Sequence, residues 1–96
     1  MISSRSIVVA SREQVSADLA GEAAVLNLRD GVYYGLDKVA TRIWDLIMEP
    51  TRVEDIAAAL LREYDVDPDR CERELLAFLE KLAERGLLEV TDEAAQ

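Results

Sequence analysis

The sequence of 96 residues predicts a small α+β domain, and its hydrophobic pattern supports this class in two ways. Apolar residues alternate with polar ones in short segments towards both ends of the chain, which is typical of strands. In the middle they recur every three or four residues, which is typical of helices. The period changes from strand to helix once and reverses only near the C-terminus. We therefore expect strands first, then three helices and a closing strand.

Four segments have the composition of short strands. A first strand is predicted over Ile7–Ala10 and a last one over Leu87–Val90. Between them, Ala23–Leu28 and Val32–Leu36 are predicted to form a hairpin, because Asp30-Gly31 is a favoured turn pair. A hairpin of this size cannot bury its own face. It must therefore pack against the helices.

Three helices are predicted from their start and stop signals. The first runs over Lys38–Met48 behind Asp37, a favoured N-cap residue, and Val39 lies on its apolar side. The second begins at Thr51-Arg52-Val53-Glu54, which matches a capping box. The third opens at Asp67-Pro68 and closes at Gly86, because proline suits the first turn and glycine can adopt the left-handed conformation that ends a helix.

Together these elements predict a winged-helix-like domain with a small three-stranded antiparallel sheet, three helices and a short C-terminal strand. We expect a single domain over residues 1–96, with its core in residues 7–90 and flexible ends at residues 1–6 and 92–96. DNA-binding regulators also use this architecture, so the fold alone does not decide the function. The net charge of −9 opposes attraction to phosphate, and we expect no nucleic-acid partner.

The composition also limits where the protein acts. No apolar run approaches the roughly 20 residues that cross a bilayer, and the N-terminus does not resemble a signal peptide. A single cysteine cannot form an internal disulfide. We therefore expect a cytoplasmic protein with no membrane partner.

Catalysis is not expected. There is no histidine, so neither a Ser-His nor a Cys-His pair can form. Cys71 lies in the first turn of the third predicted helix, where the helix dipole could activate a thiol, but it also lies in an apolar stripe where cysteine acts as a small core residue. Asp65-Val66-Asp67-Pro68-Asp69 lacks the glycine and the last glutamate of a calcium loop. The sequence predicts no catalytic residue, metal site or cofactor.

The third helix has a wider apolar arc than one packing partner needs. Its core stripe contains Cys71, Leu75, Phe78 and Leu82. Leu76, Leu79 and Ala83 extend this stripe to one side, and Glu72 and Glu80 flank it. Either neighbouring elements cover the extra width, or it forms one wall of a groove. The second wall would be the Val32–Leu36 strand, whose free edge can pair with another chain.

Side chains of the hairpin and the first helix also have predicted positions. Trp44 is expected in the core because its ring contributes a large buried area. Neighbouring side chains on a strand point to opposite faces. We expect Val32, Tyr34 and Leu36 to face inward, and Tyr33 to face outward beside Gly35.

Three short segments, Leu28–Gly31, Tyr34-Gly35-Leu36-Asp37 and Ile43-Trp44, resemble the signature of the PqqD-like family. Members of that family are recognition elements that bind leader peptides of ribosomally made precursors. The resemblance implies that a leader peptide adds as an antiparallel strand to the third predicted strand and rests against the third helix. The residues that we expect to bind the peptide are Val32, Tyr33, Tyr34, Gly35, Leu36, Glu72, Leu76, Leu79, Glu80 and Ala83.

The size of the chain resembles that of the free-standing recognition protein in lasso-peptide pathways. This likeness implies two enzyme partners, a cysteine-protease-like leader peptidase and a cyclase similar to asparagine synthetase. An alternative in the same family is the chaperone of the pyrroloquinoline-quinone precursor, which works with a radical-SAM enzyme. From other classes, a DNA-binding winged-helix regulator and a structural subunit that bridges enzymes stay open at this point.

Overall fold

The computed structural model describes residues 2–91, and within this range it contains six strands and three helices. The strands are β1 (Ile7–Ala10), β2 (Gln14–Leu19), β3 (Glu22–Asn27), β4 (Tyr33–Gly35), β5 (Thr51–Arg52) and β6 (Leu88–Thr91). The helices are α1 (Lys38–Leu46), α2 (Val53–Glu63) and α3 (Pro68–Glu84). No helix in residues 2–91 is long and apolar enough to cross a membrane.

The strands form two three-stranded sheets whose pairings are all antiparallel. In one sheet β1 lies between β5 and β6, and in the other β3 lies between β2 and β4. The predicted α+β class is confirmed. β1 does not pair with the strands of the hairpin. Val8 in β1 pairs with Thr51 in β5 on one side and with Val90 in β6 on the other. The first sheet thus joins the beginning of the chain to its closing strand.

The third strand of the hairpin sheet, β2, is absent from the predicted elements. It pairs with β3 from Gln14 opposite Asn27 to Leu19 opposite Glu22. The two strands are joined at Ala20-Gly21, where both residues have positive φ, 59° and 88°. Most side chains of β2 are exposed, although its apolar residues alternate with polar ones as in other strands. The pairing with β3 holds it in place.

Two of the three predicted helix starts are confirmed. Asp37 and Asp67 each accept a hydrogen bond from the backbone N–H three residues later, at 2.8 and 3.0 Å. The predicted capping box of α2 is wrong. The Thr51 hydroxyl donates to the Leu46 carbonyl at 2.7 Å, and the N-cap is Arg52, which makes no side-chain cap bond. Thr51 is used differently because its backbone belongs to the β1 ladder.

The end of α3 has the geometry expected of a glycine stop. Gly86 has φ 73°, its N–H donates to the Ala83 carbonyl at 3.1 Å, and the Leu87 N–H donates to the Leu82 carbonyl at 2.9 Å. These two bonds form a Schellman motif, which satisfies carbonyl groups that the helix leaves free. The motif directs Leu87 into the core, where it is 1% exposed, and starts β6.

One hydrophobic core lies between the helices and the inner faces of both sheets. Its largest fully buried side chains include Trp44, Ile56 and Leu79 from the helices and Val8 and Val25 from the sheets. The expected core position of Trp44 therefore agrees with its burial. Because side chains from all layers meet here, the β4 strand and α3 are held at a fixed distance from one another.

The N-terminal residues are packed rather than loose. Ile2 is 6% exposed, and its N–H donates to the Glu80 carboxylate at 3.0 Å. The Ser6 carbonyl accepts from the N–H of Val53 at the start of α2. Ile2 therefore packs against α3 and Ser6 is held at the start of α2, in contrast to the flexible end expected there. The expected flexible end at residues 92–96 lies outside the described residues.

Candidate functional site

The β4 strand forms one edge of its sheet and has a free ladder of backbone groups. The Asn27 N–H donates to the Val32 carbonyl at 3.0 Å, and the Leu36 N–H donates to the Ala23 carbonyl at 2.8 Å. Hydrogen-bonded and non-hydrogen-bonded pairs alternate along an antiparallel ladder. The N–H and C=O groups of Tyr34 therefore point to β3, and those of Tyr33 and Gly35 point away from it. Within residues 2–91 no strand pairs with this second side.

The side chains of β4 divide between two faces. Leu36 is buried and Tyr34 is half-buried, whereas Tyr33 on the opposite face is 71% exposed. The Arg85 guanidinium, at the end of α3, lies over the Tyr34 ring at 5.3 Å from its centroid. Val32 shares a face with Tyr34 but lies next to the turn and is 44% exposed. The inward positions expected for Tyr34 and Leu36 agree with their burial, while Val32 is more open.

The C-terminal end of α3 is fixed beside the hairpin. The Asn27 side chain donates to the Arg85 carbonyl at 2.7 Å and accepts from the Arg29 N–H at 2.9 Å. Asn27 itself is 1% exposed. A buried amide with two satisfied bonds specifies one arrangement of the groups that it joins. Together with the Arg85–Tyr34 contact, it places α3 next to β4.

The exposed parts of α3 lie on two flanks of its buried stripe. The stripe consists of Cys71, Leu75, Leu79 and Leu82. Residues related by three and four positions share one side of a helix. We call the side of Glu74, Phe78 and Arg85 the strand-facing flank, because Arg85 contacts Tyr34 and the other two line a cavity beside the end of β4. The side of Glu72, Leu76, Glu80 and Ala83 is the N-terminus-facing flank, because Glu80 holds the N–H of Ile2.

The residues expected to bind a peptide are therefore not brought together as one surface. Those of the strand segment, Val32–Leu36, lie at the sheet edge. Leu79 is 0% exposed and belongs to the core. Neighbouring elements therefore cover this residue, which was one of the two alternatives for the wide apolar arc. The expected residues that remain on α3 all belong to the N-terminus-facing flank. They lie on the side of the helix away from Phe78.

A cavity of about 610 Å³ lies at the N-terminal end of α3, between this helix, the start of α1 and the end of α2. Its apolar lining includes Ile43, Leu60, Leu75 and Phe78. Val39 also lines it and is 42% exposed although it is apolar. The lining also includes Asp37, two residues after the end of β4, so the chain that leaves the strand edge leads to the cavity. We call the surface from the β4 edge to this cavity the groove.

Sequence reasoning missed the contribution of Phe78 and Val39 to the groove. The helical pattern placed Phe78 in the core stripe and Val39 on the apolar side of the first helix. Phe78 is in fact only half-buried, because the buried stripe is centred nearer to Leu79. An apolar residue in the first turn of a helix, directly after a strand edge, is a signal that could have marked Val39.

The Cys71 thiol also lines the cavity, and burial raises its pKa above the ordinary value. Glu74 adds to this effect because a negative charge disfavours a thiolate. A thiol with a raised pKa is a poor nucleophile at neutral pH. These observations agree with the interpretation of Cys71 as a core residue. Within residues 2–91, no group of three or more His, Cys, Asp and Glu side chains is arranged to hold a metal ion.

The outer face of the β2-β3-β4 sheet is an exposed apolar surface. Val15, Leu26 and Tyr33 lie in register across the three strands, and Val15 and Tyr33 are 56% and 71% exposed. Ala17, Ala24 and Gly35 form the next row. Within residues 2–91, no helix covers this face. Contiguous apolar patches of this kind often mark protein interaction sites.

Comparison with known proteins assigns the family. The family described as "Coenzyme PQQ synthesis protein D (PqqD)" matches residues 22–88, which is more than half of the chain. The chain belongs to this family. The matched part of this PqqD-family protein contains the β4 edge, the cavity and all of α3. The resemblance to PqqD-like recognition elements is thereby confirmed.

Two solved structures are similar to the PqqD-family protein over most of both chains. One is described as "TbiB1 in Complex with the TbiA(beta) Leader Peptide", with 44% identity, a TM-score of 0.80, and 84% of this chain and 94% of that chain covered. The other is "Lasso peptide synthetase B1 complexed with the leader peptide", with 26% identity, a TM-score of 0.76, and coverage of 85% and 96%. A comparison with curated protein sequences gives no match.

Proposed function

We propose that this protein binds the leader segment of a ribosomally made precursor peptide and presents it to separate maturation enzymes of a lasso-peptide pathway. The observation that carries this proposal is the free β4 edge lying beside the groove, in a fold shared with two proteins described in complex with leader peptides. A free strand edge supplies backbone affinity, and a neighbouring groove supplies selection of side chains. The role is binding and not catalysis.

The leader adds to β4 as an antiparallel strand. The N–H and C=O groups of Tyr33 and Gly35 are available for it, and Gly35 has no heavy atom within 4 Å of the position that a Cβ would take. Another backbone can therefore approach closely at this residue. Alternate leader side chains then point into the groove, towards Tyr34 and the strand-facing flank of α3. In this arrangement Phe78 replaces Leu79 as the apolar wall.

The decisive experiment is a binding titration by fluorescence anisotropy. The probe is a labelled TbiA(beta) leader peptide, because the protein in that complex is 44% identical to this chain. We expect saturable binding of the leader, and no binding of a scrambled peptide of the same composition or of duplex DNA. Equal binding of the scrambled peptide would contradict sequence recognition. Preference for duplex DNA would support a regulator instead.

A second candidate within the family is the precursor chaperone of pyrroloquinoline-quinone synthesis, which the family description favours. The two leader-bound neighbours favour the lasso pathway over it. A competition titration distinguishes them. If an unlabelled pyrroloquinoline-quinone precursor displaced the TbiA(beta) leader at lower concentration than the leader itself, the chaperone role would be the better one.

We also propose that a cysteine-protease-like leader peptidase docks on the outer face of the β2-β3-β4 sheet, and that an asparagine-synthetase-like cyclase acts after it. The row formed by exposed Val15, half-buried Leu26 and exposed Tyr33 supports the docking surface. A leader strand added to β4 would widen this face by one strand. The peptidase should therefore bind the complex with leader more tightly than the free protein, in the cytoplasm where we place the pathway.

The docking proposal can be tested with a charge placed on this face. Val15→Glu should abolish co-purification of the peptidase while leader binding stays intact, because Val15 lies on the opposite edge of the sheet from the leader. The matched control is Leu61→Glu, which adds the same charge at an exposed apolar position on α2. Equal loss of peptidase in both variants would contradict the assigned surface.

A further inference from the structure

The charges along the groove are unequal at its two ends. The lining of the cavity end contains four carboxylates and one guanidinium, from Asp37, Asp65, Asp67, Glu74 and Arg70. The other end, beside Tyr34 and the turn after β3, has cations and anions in similar number. There Arg29 lies 3.8 Å from Glu13, and Arg85 has Glu84 and Asp30 nearby.

Among residues 2–91, Arg70 is the one cation in the cavity lining, and it is already paired. The Arg70 Nε donates to the Glu74 carboxylate at 2.9 Å, and this bond raises the pKa of Arg70. Two helices also begin here, and each N-terminus acts as about half a positive charge. Asp37 and Asp67 cap these helices. Within residues 2–91 the lining contains no further cation to offset Asp65 and the free oxygen atoms of the two capping aspartates, so the cavity end stays negative.

We propose that the cavity end of the groove binds a positively charged leader segment, in which an apolar side chain enters the cavity and an adjacent lysine or arginine lies at the carboxylate rim. This inference rests on the proposed function and deepens it. The cavity lining includes Asp37, two residues after the end of β4, and its apolar floor of Ile43, Leu60, Leu75 and Phe78 suits one large side chain. The rim charge complements a basic neighbour.

The position of this segment follows from strand direction. β4 runs from Tyr33 to Gly35 and continues towards Asp37 at the cavity. A peptide that adds antiparallel to β4 has its N-terminal part beside Gly35 and Asp37, and its C-terminal part beside Val32. The basic residue should therefore precede the strand-forming residues of the leader. A basic residue after them would meet the balanced end and gain little.

The test is a lysine and glutamate scan of the TbiA(beta) leader peptide, one position at a time, by fluorescence anisotropy at low salt. N-methylation of single peptide amides first locates the strand-forming residues, because it removes the donors that pair with β4. At positions before these residues, we expect lysine to bind about two- to fivefold more tightly than glutamate, as for exposed ion pairs. At positions after them, the two should bind alike.

Two matched variants connect this effect to the rim. Glu74→Gln and Glu72→Gln change the net charge equally, but only Glu74 lines the cavity. Glu74→Gln should reduce the preference for lysine before the strand segment, because this change removes a carboxylate and leaves Arg70 unpaired. Glu72→Gln should preserve the preference. Arg70→Gln should increase the preference. Circular dichroism and thermal melting check that each variant is folded.

The outcomes separate the inference from the proposed function. A leader that binds with no preference at either end, or with equal loss in the two glutamate variants, would overturn the charge assignment and leave leader binding intact. A preference for lysine after the strand segment would overturn the antiparallel direction. If the unmodified leader did not bind at all, the proposed function and this inference would both fail.

Discussion

Replacing Tyr33 with proline tests strand addition by removing one backbone N–H donor. Proline has no backbone N–H, and the N–H of Tyr33 points to the free side of β4. The ladder to β3 depends instead on Val32, Tyr34 and Leu36, so this change leaves it in place. The Tyr33 side chain is 71% exposed and contributes little to the core. The folded state should therefore tolerate the substitution.

The expected effect on binding follows from one lost hydrogen bond. A net hydrogen bond contributes about 1 kcal/mol, and a carbonyl left unpaired at the interface raises the cost to about 1–3 kcal/mol. Leader affinity should then fall about tenfold. Tyr33→Ala keeps the N–H and removes the same side chain, so it should bind the leader almost as well as the unsubstituted protein. The assay is titration of the labelled TbiA(beta) leader.

Tyr34→Pro gives the opposite outcome, because the N–H of Tyr34 points to Val25 in β3. The ladder bond and the contact between Tyr34 and Arg85 are both lost, and the domain should unfold at lower temperature. Thermal melting accompanies each titration. A folded Tyr33→Pro variant with unchanged affinity would refute the reasoning, as would a Tyr34→Pro variant that melts normally.

Three further predictions concern stability and reactivity. Leu79→Glu should lower the free energy of unfolding by about 4 kcal/mol, measured by urea denaturation, because it places a charge at a fully buried position; a folded variant with weaker leader binding would return Leu79 to the groove. Gly86→Ala should cost about 1 kcal/mol in the same assay, since φ is 73° there and the Arg29 guanidinium lies 3.2 Å from the added carbon. The pKa of the Cys71 thiol is raised in the folded state, so above about pH 8.5 the unfolded chain ionises first and the free energy of unfolding decreases. A Cys71→Ala variant should lose this part of the pH dependence. The native thiol should also react with a disulfide reagent much more slowly than the thiol of the denatured protein.

The features that the sequence could predict are those determined by local chemistry. Asp37 and Asp67 cap their helices because a carboxylate reaches an N–H three residues away, whatever the rest of the fold does. Gly86 ends α3 for a similar reason, since only its own backbone conformation is involved. The family resemblance also depended on short contiguous segments around Tyr34 and Trp44, and it is confirmed.

What the sequence could not predict depends on neighbours distant in the chain. Thr51 has the composition of a capping box, but pairing with Val8 in β1 takes its backbone into a sheet. A helical pattern gives the width of the apolar arc on α3 and not the element that each side faces. Leu79 is therefore fully buried, and Phe78, expected in the core stripe, is only half-buried. The strand β2 could have been found from Ala20-Gly21 and the alternation of Val15, Ala17 and Leu19.

The β2-β3-β4 sheet has a second free edge, on β2. A proline in β2 is therefore the matched control for binding of the leader at β4. The Leu28 N–H donates to the Glu13 carbonyl, so the alternating ladder points the N–H of Ser16 away from β3. Ser16→Pro thus removes the same kind of free donor as Tyr33→Pro.

The β4 edge leads to Asp37 in the cavity lining and holds Tyr34 beneath Arg85 at the end of α3, whereas β2 packs chiefly against β3. Backbone donors alone would make the two edges equivalent, whereas the groove gives the leader side chains a surface on one side only. Ser16→Pro should therefore leave leader affinity unchanged in the anisotropy titration, with a normal thermal melt. A tenfold loss in Ser16→Pro together with normal binding by Tyr33→Pro would place the leader on β2, and the groove beside α3 would then have no part in its recognition.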